Sequence, residues 1–288
     1  MTGGPAPLVD AGRLHADADA VVILDASIQR TQDEHGRGVF GPGLDAFAAE
    51  RIPGARFADV LAAFSDPGGA FPFTLPTPAR LQEAARAVGV DDRSTVVVYD
   101  RNGGAWAARV RWLLRTHGHR DVRVLDGGLG AWIAAGLPTA SGDAAPVPRG
   151  DFTARDPGPV TAERDEVASI SLGDTGGLLV CGLRRTEFEG TDEGPRSGHI
   201  PGSVSLPYPE LLRDDGTLDR DRVRERARAL GIDGGENVVL YCGGGINAAG
   251  LSLALEAVGI EGARIYDGSL SEWRADPAAP LQTGPGAG

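Results

Sequence analysis

No lysine occurs in this sequence of 288 residues, and all 28 basic side chains are arginine. That absence excludes Schiff-base chemistry, a pyridoxal phosphate anchor and the phosphate-loop lysine of nucleotide hydrolases. Cysteine is scarce as well. Cys181 and Cys242 are the only two, too few for a disulfide framework or a four-thiolate zinc site, and they do not form a Cys-x-x-Cys pair. A reducing compartment suits such a chain. Long apolar runs are missing: no stretch reaches the ~18 to 20 residues of a membrane span, and the opening Met1-Thr2-Gly3-Gly4-Pro5-Ala6-Pro7 carries neither a basic leader nor an apolar run of signal length. Positive net charge is lacking too. The formal charge is -12 and the isoelectric point lies near 4.9, so nucleic acid and membrane surfaces are not expected as partners. A cytoplasmic protein is expected, and any anionic small molecule needs a local basic pocket.

What is present is a hydrophobic fraction of 41%, enough for one large domain or two ordinary ones. The 43 glycines and 20 prolines read as turns rather than disorder. Short Val-, Ile- and Leu-rich runs, Val21 to Leu24, Val96 to Tyr99, Val122 to Leu125, Leu178 to Val180 and Val238 to Tyr241, have the length and composition of buried parallel strands. Amphipathic stretches with helical spacing lie between them: Pro78 to Val88, Ala105 to Arg115, Asp219 to Leu230 and Ala248 to Val258. The alternation predicts an α/β fold.

The two halves repeat one another. Val96-Val97-Val98-Tyr99-Asp100 matches Val238-Val239-Leu240-Tyr241-Cys242 at an offset of 142. Asp126-Gly127-Gly128 with Trp132 matches Asp267-Gly268-Ser269 with Trp273 at 141, and Ile52-Pro53-Gly54 matches Ile200-Pro201-Gly202 at 148. Several short matches in one order at nearly one offset predict two copies of one fold. Pro138, Pro146, Pro148, Pro157 and Pro159 lie in a stretch without helical or strand period. The expected division is residues 1–140, a linker over 141–158 and a second domain over 159–288. Trp132 and Trp273, at equivalent positions, read as core anchors.

The chemically informative segment is Tyr241-Cys242-Gly243-Gly244-Gly245-Ile246-Asn247-Ala248, placed after a strand and before a helix. Open α/β sheets bind ligands at that end of a strand. Three glycines let the chain curl around the sulfur so that backbone N–H groups point inward as an anion nest, and the helix dipole adds positive potential. Both favour a thiolate. The alternative for Cys242 is a packed strand-end residue beside an ordinary glycine turn. Cys181, a single small residue at a strand end, reads as packing, with a resolving thiol for oxidised Cys242 as its alternative.

The repeat, Gly198-His199-Ile200-Pro201-Gly202, the Tyr-Cys-Gly-Gly-Gly-Ile loop and Asp267-Gly268-Ser269-Leu270-Ser271-Glu272-Trp273 together resemble the tandem-domain rhodanese sulfurtransferases, the group of thiosulfate and 3-mercaptopyruvate sulfurtransferases. The resemblance covers almost the whole chain. It implies two rhodanese-like α/β domains, each a mainly parallel sheet flanked by helices, with Cys242 catalytic in the C-terminal copy. The N-terminal copy is then catalytically silent, because Asp100 takes the equivalent position. It further implies transfer of sulfane sulfur from thiosulfate or 3-mercaptopyruvate through a Cys242 persulfide to a thiol or cyanide, with a thioredoxin-like protein as one acceptor and no metal or organic cofactor. Backbone amides of Gly243, Gly244, Gly245, Ile246 and Asn247 are the expected substrate contacts.

The arginines depart from the family pattern. An arginine commonly precedes the aromatic residue upstream of Gly-His-Ile-Pro-Gly, where this chain has Glu187 before Phe188. Arg196 matches the second family arginine and is the first candidate for the donor's charge. The strand that usually ends in Asp-x-Arg reads Cys181-Gly182-Leu183 here, followed by Arg184 and Arg185. Arg185 is a second candidate anion contact, with a solvated surface role as its alternative. His199 reads as a structural hydrogen-bonding residue, and His117 and His119 lack the neighbours of a metal site. Cysteine phosphatases need an arginine where this loop has Ala248, which argues against phosphatase chemistry. Two rivals stay open: a persulfide relay serving a partner enzyme with little small-donor activity, and a non-catalytic scaffold.

Overall fold

A computed structural model describes residues 5–32, 38–191 and 196–286. It divides into two compact units, one of Met1–Gly68, Leu75–Pro157 and Asp214–Thr217, the other of Gly69–Thr74, Gly158–Arg213 and Leu218–Gly288. The main division falls between Pro157 and Gly158, inside the stretch expected as linker. Two short segments are grouped out of sequence order. Composition and periodicity report local structure, and they carry no record of which core a connecting loop joins.

The first unit contains β1 (Leu8–Val9), α1 (Ala11–Asp17), β2 (Val21–Asp25), β3 (Ile28–Gln32), β4 (Gly38–Pro42), α2 (Leu44–Ala49), β5 (Arg56–Phe57), α3 (Pro78–Ala87), β6 (Thr95–Tyr99), α4 (Ala105–Thr116), β7 (Val122–Leu125) and α5 (Gly128–Ala134). Its main sheet has the order β1-β7-β6-β2-β5, with every neighbouring pair parallel. Strands β3 and β4 form a separate antiparallel pair. The sheet is parallel because its strands are apolar on both faces and must be covered on both. Val96, Val97, Val98 and Tyr99 are all buried, as is every residue of α4 from Ala105 to Leu114. Ile23, Val97, Tyr99, Leu129 and Trp132 share one core cluster.

The second unit repeats the plan with α6 (Arg164–Leu172), β8 (Leu178–Cys181), α7 (Arg185–Glu189), β9 (Val204–Ser205), α8 (Arg220–Ala229), β10 (Val238–Tyr241), α9 (Ile246–Glu256), β11 (Arg264–Ile265) and α10 (Ser269–Ala275). Its sheet has the order β11-β10-β8-β9, again wholly parallel. Helix α9 is buried along most of its length, so its apolar residues surround it instead of forming a single stripe.

The repeat seen in sequence is a repeat of hydrogen bonds. The Tyr99 hydroxyl accepts from the N–H of Ile52 at 3.3 Å, and that of Tyr241 from Ile200 at 3.2 Å. Gly54 and Gly202 turn with φ of 76° and 77°. Trp132 donates its indole N–H to Pro138 O at 2.8 Å and Trp273 to Pro280 O at 2.7 Å. Each tryptophan thereby fills its core and ties down the chain beyond its helix, as a buried indole requires. Among the described residues no helix is long and apolar enough to cross a membrane.

One position in the first unit is costly. Asp25 is fully buried, one carboxylate oxygen accepts from Ser27 N–H at 2.8 Å, and the other has no hydrogen-bond partner among the described residues. Burial raises its pKa above the ordinary 3.8. A raised carboxyl binds its proton more tightly in the folded state, so its contribution is most favourable below the unfolded pKa and is lost as pH rises through the folded one. Asp25→Asn is therefore expected to raise the unfolding midpoint at pH 7, with the gain shrinking toward pH 4. Thermal unfolding of both proteins across that range measures it, and an equal gain at both ends would contradict the assignment.

Candidate active site

Strand β10 ends at Tyr241, and Cys242 follows at the carboxyl end of the sheet. Gly245, at φ 81°, is the N-cap of α9. Only glycine adopts that conformation without strain, so the helix begins at Ile246, two residues before the apolar spacing placed it. Gly244 and Gly243 complete the turn between strand and helix.

The loop is pinned from outside itself. Cys242 donates its N–H to Ser269 Oγ at 3.1 Å, and that hydroxyl donates to Tyr266 O at 2.8 Å. The Cys242 carbonyl accepts from Leu270 N–H at 3.0 Å, and the Gly243 carbonyl accepts from Ser271 N–H at 2.9 Å and its hydroxyl at 2.7 Å. Asn247 donates its side-chain amide to Gly182 O at 3.2 Å, fastening the start of α9 to the end of β8. With the carbonyls tied back, the N–H groups of Gly243 through Ala248 have no acceptor among the described residues. Such a row at a helix start is an anion nest. Cys242 immediately precedes this row and is buried, with 3% of its surface exposed.

The first unit shows what an equivalent cradle holds. There the Asp100 carboxylate accepts from the N–H groups of Asn102 at 2.7 Å, Gly104 at 2.8 Å and Ala107 at 2.9 Å. Leu129 N–H bonds the Asp100 carbonyl at 3.1 Å, just as Leu270 does for Cys242. Burial is the largest influence on Asp100 and raises its pKa, against the lowering effect of those N–H groups. One copy thus fills its cradle with its own carboxyl group, while in the other the N–H groups beside Cys242 have no acceptor among the described residues.

The candidate arginines have partners outside the cradle. Arg185 stands 3.7 Å from Glu210 with about half its side chain exposed. Arg196 donates to three backbone carbonyls, those of Pro277 at 3.0 Å, Asp276 at 2.9 Å and Ala279 at 2.7 Å. Glu187 accepts from Arg184 N–H at 3.2 Å across the first turn of α7, which gives the acidic residue a capping use. The structure therefore brings Cys242 and Gly243 to Asn247 together and sets the guanidinium groups of Arg185 and Arg196 on other partners. Cys181 is fully buried on β8 and burial pushes its thiol up to about 12, which keeps it protonated at neutral pH and a poor nucleophile. His199 lies stacked on Phe188 at 3.7 Å and its Nδ1 bonds Phe188 O at 2.7 Å. His117 Nδ1 bonds Leu113 O at 2.8 Å and His119 Nε2 bonds Asp91 O at 3.0 Å.

Ser269, Ser271 and Arg274 escaped the sequence reading as site residues. The two serines lie in a motif whose spacing was visible, but spacing does not disclose that both hydroxyls reach back to the cysteine loop. Ser269 is fully buried at φ 50°, where its repeat partner is Gly128 at φ 57°. Arg274 is half-buried and donates to Gly198 O at 3.1 Å.

The rhodanese-like domain family matches residues 10–135 and 185–276, and the chain belongs to that family. It is 38% identical over 253 residues to a Pseudomonas aeruginosa protein named "Probable 3-mercaptopyruvate sulfurtransferase", covering 84% of this chain and 87% of the relative. It is 31% identical to the "Thiosulfate/3-mercaptopyruvate sulfurtransferase 1, mitochondrial" of Arabidopsis thaliana, over 96% of this chain and 78% of that protein. The crystal structure of SseA from Escherichia coli, described with the rhodanese fold and mechanism of 3-mercaptopyruvate sulfotransferases, superposes with a TM-score of 0.80 at 28% identity. It covers 92% of this chain and 99% of SseA.

Ser269→Ala keeps the left-handed backbone and removes the acceptor of the Cys242 N–H. An unsatisfied buried N–H costs roughly 1–3 kcal/mol. The variant is expected to unfold at lower temperature and to label more slowly at Cys242 with a small alkylating agent. Unchanged labelling would remove Ser269 from the set that positions the sulfur.

Proposed function

We propose that this chain is a sulfurtransferase that carries sulfane sulfur on Cys242. The observation that supports it best is the open N–H cradle beside Cys242, in a molecule whose other copy fills the same cradle with the Asp100 carboxylate. The Cys242 thiolate attacks the outer sulfur of thiosulfate, a sulfur–sulfur bond forms to the protein, the donor's bond breaks, and sulfite leaves with the electron pair. With 3-mercaptopyruvate the thiolate attacks the thiol sulfur, the carbon–sulfur bond breaks, the electron pair leaves as the enolate of pyruvate, and the thiol's proton ends on that carbon to give the methyl group. In both cases a persulfide remains on Cys242. A thiol or cyanide then attacks the outer sulfur and restores the thiolate.

The residues divide this work. Amides of Gly243, Gly244, Gly245, Ile246 and Asn247 stabilise the anionic sulfur and the charge that develops during transfer, because they are already oriented and need no reorganisation. Leu270 N–H and Ser271 hold the carbonyls of Cys242 and Gly243 away from that charge, and the Ser269 hydroxyl takes the Cys242 N–H. Arg196, through carbonyls of residues 276, 277 and 279, shapes the chain that follows α10. Arg185 is a peripheral charge that attracts anionic donors. The acceptor is a small thiol, cyanide or a thioredoxin-like protein, and two free cysteines suit a cytoplasmic, reducing setting.

Intact mass measurement after brief exposure to thiosulfate or 3-mercaptopyruvate tests the proposal. Wild type is expected to gain one sulfur atom, Cys242→Ser none, and cyanide is expected to remove the gain. No gain from either donor, with sulfur accepted instead from a partner's protein persulfide, would replace the enzyme by a persulfide relay.

A further inference from the structure

The cradle has an aromatic wall that lies far from it in sequence. Gly69–Thr74 groups with the second unit, and there it reaches the cysteine loop. A methyl group added at Gly244 would stand 3.2 Å from Phe73 Cδ2 and 3.4 Å from Pro72 O, and one added at Gly243 would have Leu183 Cδ2 at 3.9 Å. On the side that such a methyl would occupy, the side chains that approach the two loop glycines are thus apolar.

Phe73 holds this place at a conformational cost. Its φ is 62°, a left-handed backbone that a bulky aromatic residue adopts only when its surroundings impose it, at about 1–3 kcal/mol. The surroundings are visible. The Thr74 hydroxyl donates to Phe71 O at 2.6 Å and accepts from Phe71 N–H at 3.3 Å, closing the turn around Phe73. Any side chain at Gly69 would collide with Thr74 Cβ, 2.5 Å from an added methyl. The turn is over-determined, and it delivers a ring onto the loop two residues from the reactive cysteine.

We infer that Phe73 is a specificity-determining residue that selects sulfur donors with an apolar body and a single negative charge. The backbone cradle supplies positive potential for one anionic group, and the flanking Phe73 and Leu183 side chains offer only apolar surface. Compact dianionic thiosulfate must shed water from several oxygens against that surface, which is unfavourable. An organic thiosulfonate leaves its apolar substituent on the wall and gains by burying it. The transfer step is unchanged and balanced: the Cys242 thiolate bonds to the outer sulfur of the thiosulfonate, the sulfur–sulfur bond of the donor breaks, and a sulfinate leaves with the electron pair. The inference rests on the Cys242 persulfide proposed above.

The test is the ratio of kcat/KM for benzenethiosulfonate to that for thiosulfate, with cyanide as acceptor, in wild type, Phe73→Gly and Phe73→Leu. An apolar contact of this size is worth about tenfold or more in discrimination. Wild type is expected to favour benzenethiosulfonate. Phe73→Gly is expected to lower the ratio at least about tenfold, mainly through a higher KM for the aryl donor, while its unfolding temperature stays level or rises as the strain is released. Phe73→Leu, which keeps an apolar wall, is expected to hold the ratio within about threefold of wild type. A ratio unmoved by Phe73→Gly in a protein whose Cys242 still gains sulfur overturns the inference and leaves the sulfurtransferase intact. Failure of every donor to load Cys242 overturns both.

Discussion

A backbone N–H buried away from water needs an acceptor, and where β6 and β10 hand over to the helices that follow them several such groups lack one within their own helix. Each unit answers this demand differently. In the first, Asp100 folds its carboxylate into the cradle and bonds Asn102, Gly104 and Ala107. In the second, a cysteine stands in the acid's place, and one thiol cannot satisfy six N–H groups. The remaining potential is available to an anion from outside, or to the cysteine's own sulfur when it becomes charged. The same architecture thus carries one loop closed on its own acidic side chain and, with a cysteine and a shorter, all-glycine run in place of Asp100 and its followers, one whose N–H groups have no acceptor among the described residues.

Holding such a loop open requires that its carbonyls be bound elsewhere, and this explains features that have no use in packing alone. Ser269 keeps a left-handed backbone where its repeat partner is glycine, and its hydroxyl receives the Cys242 N–H. Ser271 spends both its N–H and its hydroxyl on the Gly243 carbonyl. Asn247 spans from α9 to the end of β8. These contacts fix the loop from the side of α10 and β8, so its conformation is set by the fold itself. Strain at Phe73 and Ser269 belongs to the same account, since a fold retains unfavourable backbone only where neighbours over-determine it.

The charged side chains play a more distant part than their number suggests. In a chain whose basic residues are all arginine, the guanidinium groups at this end of the second unit bind carbonyls or carboxylates: Arg196 the loop after α10, Arg185 Glu210, Arg274 Gly198. Arginine suits that use, because its planar fork serves several carbonyls at once and resists loss of its proton. Cys181 lies deep in β8, where burial pushes its thiol up to about 12 and disfavours the thiolate.

Much of this was determined by the sequence alone. The apolar runs specified parallel strands, the recurring Tyr-Asp and Tyr-Cys strand ends specified a repeat, and the three glycines after Cys242 specified a loop able to curl around a sulfur. These are local properties, because they depend on neighbours a few residues apart. Four things needed the tertiary structure. The partners of Arg185 and Arg196 are set by carbonyls and carboxylates up to 83 residues away. The hydroxyls of Ser269 and Ser271 reach the cysteine loop across 27 and 28 residues. The filling of one cradle by Asp100 depends on how its loop closes. The aromatic wall comes from residues 69–74, grouped with the second unit although they lie in the first half of the chain. Periodicity and spacing describe how a segment folds, but which distant groups it meets is fixed only when the cores close and bring those segments within hydrogen-bonding reach.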